Sequence, residues 1–186
     1  MRATIVGVIM GTVLICAANT SVAQDKGKEE AAQLAGESQA ALQQLYANVP
    51  LAKTIGPTAQ AILVFPKVTK AGLGIGGQYG EGTLLKKGKA DAYYKTTGAS
   101  IGLQAGGQTY GYAMFFMNQK SLDEFVSASG FEVGVGPSIV VVDEGMGKST
   151  TTTTLKGDIY AFIFGQKGLM AGLGIQGNKI TKITPK

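Results

Sequence analysis

The chain has no histidine, no tryptophan, a single cysteine and a single arginine among its 186 residues. The lack of histidine excludes imidazole as a general base, as the partner of a nucleophile and as a metal ligand. One cysteine excludes an intramolecular disulfide and a zinc site built from cysteines. The composition does not exclude catalysis by lysine, serine, tyrosine or carboxylate side chains. However, no spacing of these residues in the sequence indicates a catalytic site. We therefore predict a non-catalytic protein without a cofactor or metal.

Charge is scarce and glycine is abundant: charged residues make up 16% of the chain, and 28 residues are glycine. Hydrophobic residues make up 45%, which is enough for a folded core and unlike the composition of a disordered chain. A length of 186 residues indicates one domain, or two at most.

The N-terminal residues 1–23 have the pattern of a secretory signal peptide. Arg2 precedes an apolar, uncharged run over 5–18, and small residues up to Ala23 predict cleavage after that residue. The run is shorter than the about 20 residues of a membrane-spanning helix, although a retained anchor stays an alternative. Lipidation of Cys16 is a further alternative, which the large Leu14 and Ile15 before it disfavour. We predict a periplasmic or secreted protein, with membrane association left open.

Removal of residues 1–23 would leave a mature chain without cysteine or arginine. Taking Arg2 from the 17 basic residues leaves 16 lysines against 12 acids, which is a net charge of +4. The absence of cysteine suits an oxidising compartment. Lysine binds phosphate as a mobile point charge, without the bidentate geometry of arginine. Diffuse attraction to an anionic surface is therefore favoured over recognition of one head-group shape.

Two segments have the pattern of helices. Apolar residues at helical spacing over 25–49, among them Leu42 and Leu45, predict an N-terminal helix that Pro50 ends. Its other face is rich in glutamine, which favours packing on the domain over a basic membrane-surface helix. A short helical turn is predicted over 51–55.

A second helix is predicted after Lys120. Ser121 and Glu124 have the spacing of a capping box, and Gly130 is the expected end of the helix. Its predicted buried stripe consists of Leu122, Phe125 and Val126.

The rest of the mature chain has the pattern of β-strands. The run 61–65 predicts a buried strand that Pro66 closes. Glycine then alternates with aliphatic residues, which gives each strand one bare face. This alternation occurs over 72–76, 98–106, 133–136 and 171–176. Further strands are predicted over 82–85, 90–95, 110–117, 138–142 and 158–164.

The bare faces require a physical reason, because glycine inside a strand costs about 0.5–1 kcal/mol relative to alanine. The reason is the close approach of other parts of the backbone to the bare face. Either another element lies on that face, or the sheet curls into a barrel. We predict an α+β, β-rich fold with a strongly curved antiparallel sheet or barrel-like core over 61–184. With no linker between the elements, residues 24–186 form a single predicted domain.

Three local motifs resemble known sites but lack their context. Gly72 to Gly77 fits the dinucleotide fingerprint, yet the helix-hostile sequence GQYGEG follows it. Residues 147–149 resemble the end of a phosphate-binding loop, but Val142 replaces the required glycine and β-branched residues follow. The adjacent acids Asp143 and Glu144 are interpreted as a solvated turn. We therefore predict no nucleotide and no nucleic-acid partner.

A cluster of lysines offers the strongest candidate for a binding site. Its members lie within 67–95, where only Glu81 and Asp91 oppose them. The alternative interpretation is ordinary solubilising charge on hairpin turns. As a site, the cluster would form a basic rim, since each lysine near an anionic membrane contributes about 1 kcal/mol of attraction. Tyrosines among the lysines suit a half-apolar interface. The candidate lipid-binding residues are Lys67, Lys70, Lys86, Lys87, Lys89, Lys95, Tyr79, Tyr93 and Tyr94.

Four ordered blocks resemble the SYLF domain family. The blocks are AILVFPKVTKAGLGIGGQYGEGTLL, GASIGLQAGGQTYGYAMFFMNQKSLDEF, FEVGVGPS and IYAFIFGQKGLMAGLGIQGNKI, and the resemblance covers roughly 41–183. It implies a β-rich α+β domain, no known catalysis and binding to acidic phospholipids, in particular phosphoinositides. Actin binding is implied for a fungal branch of the family.

The chain departs from this family at its N-terminus. Eukaryotic members bind membranes partly through an amphipathic N-terminal segment, whereas here a predicted signal peptide and a glutamine-rich helix occupy that place. Phosphoinositides and actin are not expected in an envelope of bacterial type. We therefore read the implied ligand as an anionic lipid or another anionic envelope polymer.

Two hypotheses about function follow. The first is a lipid-binding module of the envelope, attracted to anionic head groups through the lysine-rich rim, so that replacing Lys86, Lys87 and Lys89 with glutamate abolishes binding to acidic vesicles. The second is a protein-interaction or scaffold module of the envelope, with the glycine-bare strand faces as docking surfaces for a partner.

Overall fold

The computed structural model describes residues 16–133, 139–143, 157–168 and 178–185. These residues form an α+β fold with a six-stranded curled sheet, which confirms the predicted fold class. The helices are α1 (Cys16–Asn48), α2 (Pro50–Ile55) and α3 (Gln119–Ser127), and a 3-10 turn covers Gly56–Thr58. The strands are β1 (Ala61–Lys86), β2 (Lys89–Phe116), β3 (Phe131–Glu132), β4 (Ile139–Asp143), β5 (Ile159–Gly168) and β6 (Lys179–Ile183).

The N-terminal helix ends where the sequence predicts but begins earlier. α1 begins at Cys16, whereas the sequence predicts a start at Asp25. It ends at Asn48, two residues before Pro50. Its buried face consists of Ser38, Ala41, Leu42 and Leu45, so the helix packs on the sheet as expected. Within the described ranges, no helix is long and apolar enough to cross a membrane.

A single long hairpin replaces several of the predicted strands. β1 pairs with β2 in antiparallel register from Ala61 and Phe116 at the open end to Lys86 and Lys89 at the turn. The turn residue Gly88 has a φ of 76°, a backbone conformation that glycine adopts without strain. Pro66 does not close the first strand, because a register shift between Phe65/Val68 absorbs the proline, which has no N–H to donate.

The second strand of the hairpin organises the sheet. One edge of β2 pairs with β1, and the opposite edge pairs with β6 over 93–97 and with β5 over 108–116. β3 continues the sheet beyond β6, and β4 continues it beyond β5. The pairing is antiparallel except between β4 and β5, which run parallel.

The glycine-bare face is the inside of a curl. A Cβ atom at Gly80 would lie 2.8 Å from Val68 Cγ2, and one at Gly82 would lie 2.6 Å from the Phe65 ring. The second half of β1 therefore folds over its own first half, which confirms the barrel-like curl. The motif from Gly72 to Gly77 lies inside β1 and opens no helix, as a dinucleotide fingerprint would require.

The curled sheet buries a separate core on each face. The concave face carries Leu63, Phe65, Tyr112 and Met114, and α3 packs on it through Phe125. The convex face is covered by α1 and α2 and carries a second core. The central members of that core are Leu45, Val64, Phe115 and Phe162. Ser38 Oγ on α1 donates a hydrogen bond of 3.1 Å to Thr83 Oγ1, which adds a polar contact to this packing.

The helix α3 corrects two predicted details. Its N-cap is Asn118, whose side chain accepts a hydrogen bond of 2.8 Å from the Ser121 amide, so the predicted capping box is wrong. Asn118 takes this role because its side chain is also fixed by a 2.7 Å hydrogen bond to Asp158. Val126 is 43% exposed and does not belong to the buried stripe, which Leu122 and Phe125 form.

Several predicted features lie outside the described residues. They are most of the strand over 133–136, the strand over 171–176, the loop over 147–149 and the acid Glu144.

Candidate functional site

The predicted lysine-rich rim is divided by the curl of the sheet. Lys67, Lys87 and Lys89 are exposed, and Tyr79 is 50% exposed. Lys86, Lys95 and Tyr93 are half-buried. Lys70 and Tyr94 are only 8% and 4% exposed. The candidate residues therefore do not form one continuous surface.

Lys70 and Tyr94 are corrections to the predicted rim, because both lie on the concave face. Tyr94 packs its ring against Phe125 at 4.9 Å between centroids, and burial raises the pKa of Tyr94. Lys70 pairs with Gln108 across the hairpin, next to Val68 and Tyr110 of the concave core.

The hairpin turn carries three of the candidate lysines. Lys86 forms an ion pair of 2.9 Å with Asp91, which compensates part of the charge there. Lys87 and Lys89 extend from the turn without an ion pair to any residue that the structure describes. The turn is thus a charged tip with no exposed large apolar side chain beside it.

Tyr79 and Lys95 lie next to an acidic side chain on the convex face. Tyr79 donates a hydrogen bond to Glu81 Oε1, and this bond raises the pKa of Tyr79 to about 12. Glu81 is the cross-strand partner of Lys95. Glu81 also lines a cleft of about 210 Å³ with Glu30 and Glu37 of α1. This part of the hairpin is therefore unfavourable for an anionic surface.

Tyr93 lines a second cleft, of about 510 Å³, between the hairpin and α1. Lys28 of α1 and Lys182 of β6 lie on its border, together with Asp91. The residues of its wall come from three separate parts of the chain, and the acid Asp91 reduces its positive charge.

A basic cleft without carboxylates lies where β1, β2 and β5 depart from regular pairing. The pairing of β1 with β2 shifts its register between Phe65 and Val68. The pairing of β2 with β5 shifts its register between Thr109 and Gly111. The cleft has a volume of about 410 Å³. Its lining residues are Gln44, Pro66, Lys67, Thr109, Tyr110, Gly111, Phe164, Gly165 and Lys167.

Two lysines give this basic cleft its charge. Lys67 and Lys167 are both exposed, and neither forms an ion pair with the residues that the structure describes. Pro66 and Phe164 supply apolar walls, and Gln44 of α1 adds an amide. The bulge at Pro66 is the local cause of this geometry, since a bulge redirects side chains beside it.

The sequence identified Lys67 but missed Lys167. The lysine cluster was recognised as a dense run over 67–95, and Lys167 lies far from that run along the chain. The pairing of Thr109 with Lys167 between β2 and β5 brings it to the cleft. Only the strand order could have revealed this pair.

The described part of the chain contains no group of acids, cysteines and histidines that could hold a metal ion. One of its clefts is bordered by three glutamates, whereas the basic cleft carries two lysines and no carboxylate.

Residues 97–184 match the Ysc84 family, described as Las17-binding protein actin regulator. This match confirms, over residues 97–184, the resemblance to the SYLF family. It is a family of binding modules. The comparison with curated proteins gives no match.

Proposed function

We propose that this protein is a non-catalytic module of the cell envelope that binds anionic phospholipid surfaces through the basic cleft. The observation that carries the proposal is that Lys67 and Lys167 both line the basic cleft, whose lining contains no carboxylate. A volume of about 410 Å³ is within the range of small-molecule sites, which supports a head group as the occupant.

The physical basis is electrostatic attraction assisted by an apolar contact. Each lysine near an anionic membrane contributes about 1 kcal/mol, and the attraction decays within a Debye length of about 8 Å at physiological salt. Ile75, further along β1, is 75% exposed and is available to enter the lipid interface. Lys87 and Lys89 at the turn would add diffuse attraction.

The test is co-sedimentation of the protein with phosphatidylglycerol vesicles and with phosphatidylcholine vesicles, at low and high salt. We expect binding to the anionic vesicles only, with loss at high salt. The double variant Lys67→Glu/Lys167→Glu should bind at least about 30-fold more weakly, since two attractive lysines contribute about 2 kcal/mol together.

The matched control is Lys26→Glu/Lys53→Glu, which makes the same change in net charge at exposed helical positions. We expect its binding to stay within about threefold of the unaltered protein, because these lysines lie outside the cleft. A third variant, Lys86→Glu/Lys87→Glu/Lys89→Glu, tests the hairpin turn. If the turn variant abolishes binding and the cleft variant does not, the cleft is not the site.

A protein partner is the second candidate function, favoured by the family description, which names Las17 binding and actin regulation. In an envelope setting the partner would be another envelope protein. Retention of one specific partner by the protein, with no binding to either type of vesicle, would support this function over the first.

The envelope location belongs to the same proposal. Cleavage after Ala23 would remove the first part of α1 and leave the buried positions described for residues 25–48 intact, the first of which is Ser38. We expect the protein isolated from the periplasm of a bacterial host to have an intact mass corresponding to a chain that begins at Gln24. A mass corresponding to a lipidated chain beginning at Cys16, or to the full chain, would contradict cleavage at this position.

A further inference from the structure

The concave face contains a cluster of buried polar side chains beyond its aromatic core. Lys70 is 8% exposed, Gln78 is 9%, Thr96 is 1% and Gln108 is 4%. Burial of such groups costs free energy unless each finds a hydrogen-bonding or charged partner. We name these four residues the interior cluster.

The hairpin register and the curl bring the interior cluster together. Lys70 is the cross-strand partner of Gln108, and Tyr110 beside them donates a 3.3 Å hydrogen bond to Gln78 Oε1. Thr96 is the partner of Gly80, which packs against Val68 through the curl. The two halves of β1 thus face each other, with polar groups between them.

Most of these groups lack a partner. Side-chain atoms buried without a hydrogen bond are Gln78 Nε2, Thr96 Oγ1, Gln108 Oε1, Tyr94 OH and Tyr112 OH. Leaving such an atom unsatisfied costs free energy, because its hydration is lost and no hydrogen bond replaces it. Lys70 forms no ion pair with the residues that the structure describes. Native proteins rarely leave this many groups unpaired, which indicates an occupant.

We propose that the interior cluster binds a small oxyanion of the phosphate class, with Lys70 supplying the charge and Gln78 and Thr96 supplying hydrogen-bond donors. The cluster contains no carboxylate, so an anion meets no repulsion from it. An oxyanion accepts several hydrogen bonds at once and also pairs with an ammonium group.

The neighbouring tyrosines remain donors over the physiological pH range. Burial raises the pKa of Tyr110 to about 12, and burial also raises the pKa of Tyr112. Their hydroxyl groups therefore stay protonated beside an anion. The side-chain amide of Gln108 can turn its nitrogen toward an anion by rotation about its terminal torsion, because the amide carries both an acceptor and donors.

The interior cluster shares none of its four residues with the lining of the basic cleft, although Tyr110 contacts both. Gln78 lies on the concave face, whereas the adjacent Tyr79 is exposed on the convex face. The basic cleft is built on Lys67 and Lys167, which are exposed, and not on Lys70. Loss of one site should therefore leave the other intact.

The experiment is isothermal titration calorimetry with inorganic phosphate, with sodium chloride of equal ionic strength as the blank. We expect saturable binding by the unaltered protein and at least a tenfold loss of affinity for Lys70→Met. Gln78→Glu keeps the side-chain shape and places a carboxylate near Lys70, so it should abolish binding as well. Lys53→Met, at an exposed position of α2, should bind within twofold of the unaltered protein.

Two further titrations separate the sources of the anion. If sn-glycerol 3-phosphate and inorganic phosphate bind through Lys70 and phosphatidylglycerol vesicles do not, the ligand is a free phosphate compound. If the vesicles also require Lys70, the ligand is a lipid head group. Both results support the interior site.

The proposal is overturned if no saturable heat appears, which would leave ordered water as the occupant, or if Gln78→Glu binds phosphate as well as the unaltered protein does. Circular dichroism of each variant verifies folding, and Gln78→Glu decides the question if Lys70→Met does not fold. The variant Lys67→Glu/Lys167→Glu should lose vesicle binding and retain phosphate binding, so failure of either proposal is visible separately.

Discussion

Replacing Gly82 with alanine is expected to lower the free energy of unfolding by about 3 kcal/mol, because overpacking at a closed contact typically costs about 1–3 kcal/mol. The added Cβ would meet the Val64 carbonyl oxygen and would lie 2.6 Å from Phe65 Cδ1. Backbone on one side and a fully buried ring on the other cannot both move aside. Urea unfolding followed by circular dichroism measures the effect.

Gly77 offers the matched control on the same strand. A Cβ there would have the Gly98 carbonyl oxygen as its neighbour at 3.8 Å, which is an ordinary contact on an exposed stretch. We expect Gly77→Ala to leave stability unchanged or to raise it by up to about 1 kcal/mol, since glycine in a strand is unfavourable relative to alanine. Equal destabilisation by both substitutions would mean that the close contact at Gly82 is not what closes the curl.

Phe125→Ala should destabilise the protein by about 3–5 kcal/mol, the range for removal of a buried aromatic ring. The Phe125 side chain is 1% exposed, and its ring centroid lies 4.9 Å from those of Tyr94 and Phe116 and 5.3 Å from that of Phe131. It joins α3 to β2 and β3, so its loss leaves a cavity between three elements. The midpoint of urea unfolding reports the change.

The next residue of the helix supplies the control for this cavity. Val126 is 43% exposed, so Val126→Ala should change stability by no more than about 0.5 kcal/mol. A comparable loss for both variants would show that helix propensity, and not the aromatic cluster, governs the contribution of α3.

The curl was predictable from the sequence because its cause is local composition. Glycine at every second position, including Gly80 and Gly82, leaves a strand face bare, and a bare face is stable only under close approach. The continuity of β1 through Pro66 was not predictable, because it depends on a register shift that the partner strand β2 allows. Likewise Asn118 became the cap of α3 through Asp158, which is distant in sequence.

The candidate site was predictable only in part, and the reason is strand order. Counting lysines along the chain identified Lys67, but it also selected Lys70 and Tyr94, which period-two alternation turns into the concave face. Alternate residues of a strand face opposite sides of the sheet, and the direction of the curl decides which set becomes buried. The sequence does not show which of the polar residues belong to the buried set. Lys167 required the pairing of β2 with β5.

The long hairpin has a consequence for how the chain folds. Its residue pairs can form one after another from Lys86 and Lys89 at the turn outward to Ala61 and Phe116. Each new pair then closes only a short loop, because the preceding pair is already in place. The pairing of Tyr93 with Ile183, by contrast, joins the middle of the chain to its C-terminal part and carries the entropy of closing a long loop. We therefore expect the turn at Gly88 to act as the folding nucleus and β6 to join a sheet that already exists. Changes near the turn would then slow folding, and changes in β6 would mainly speed unfolding.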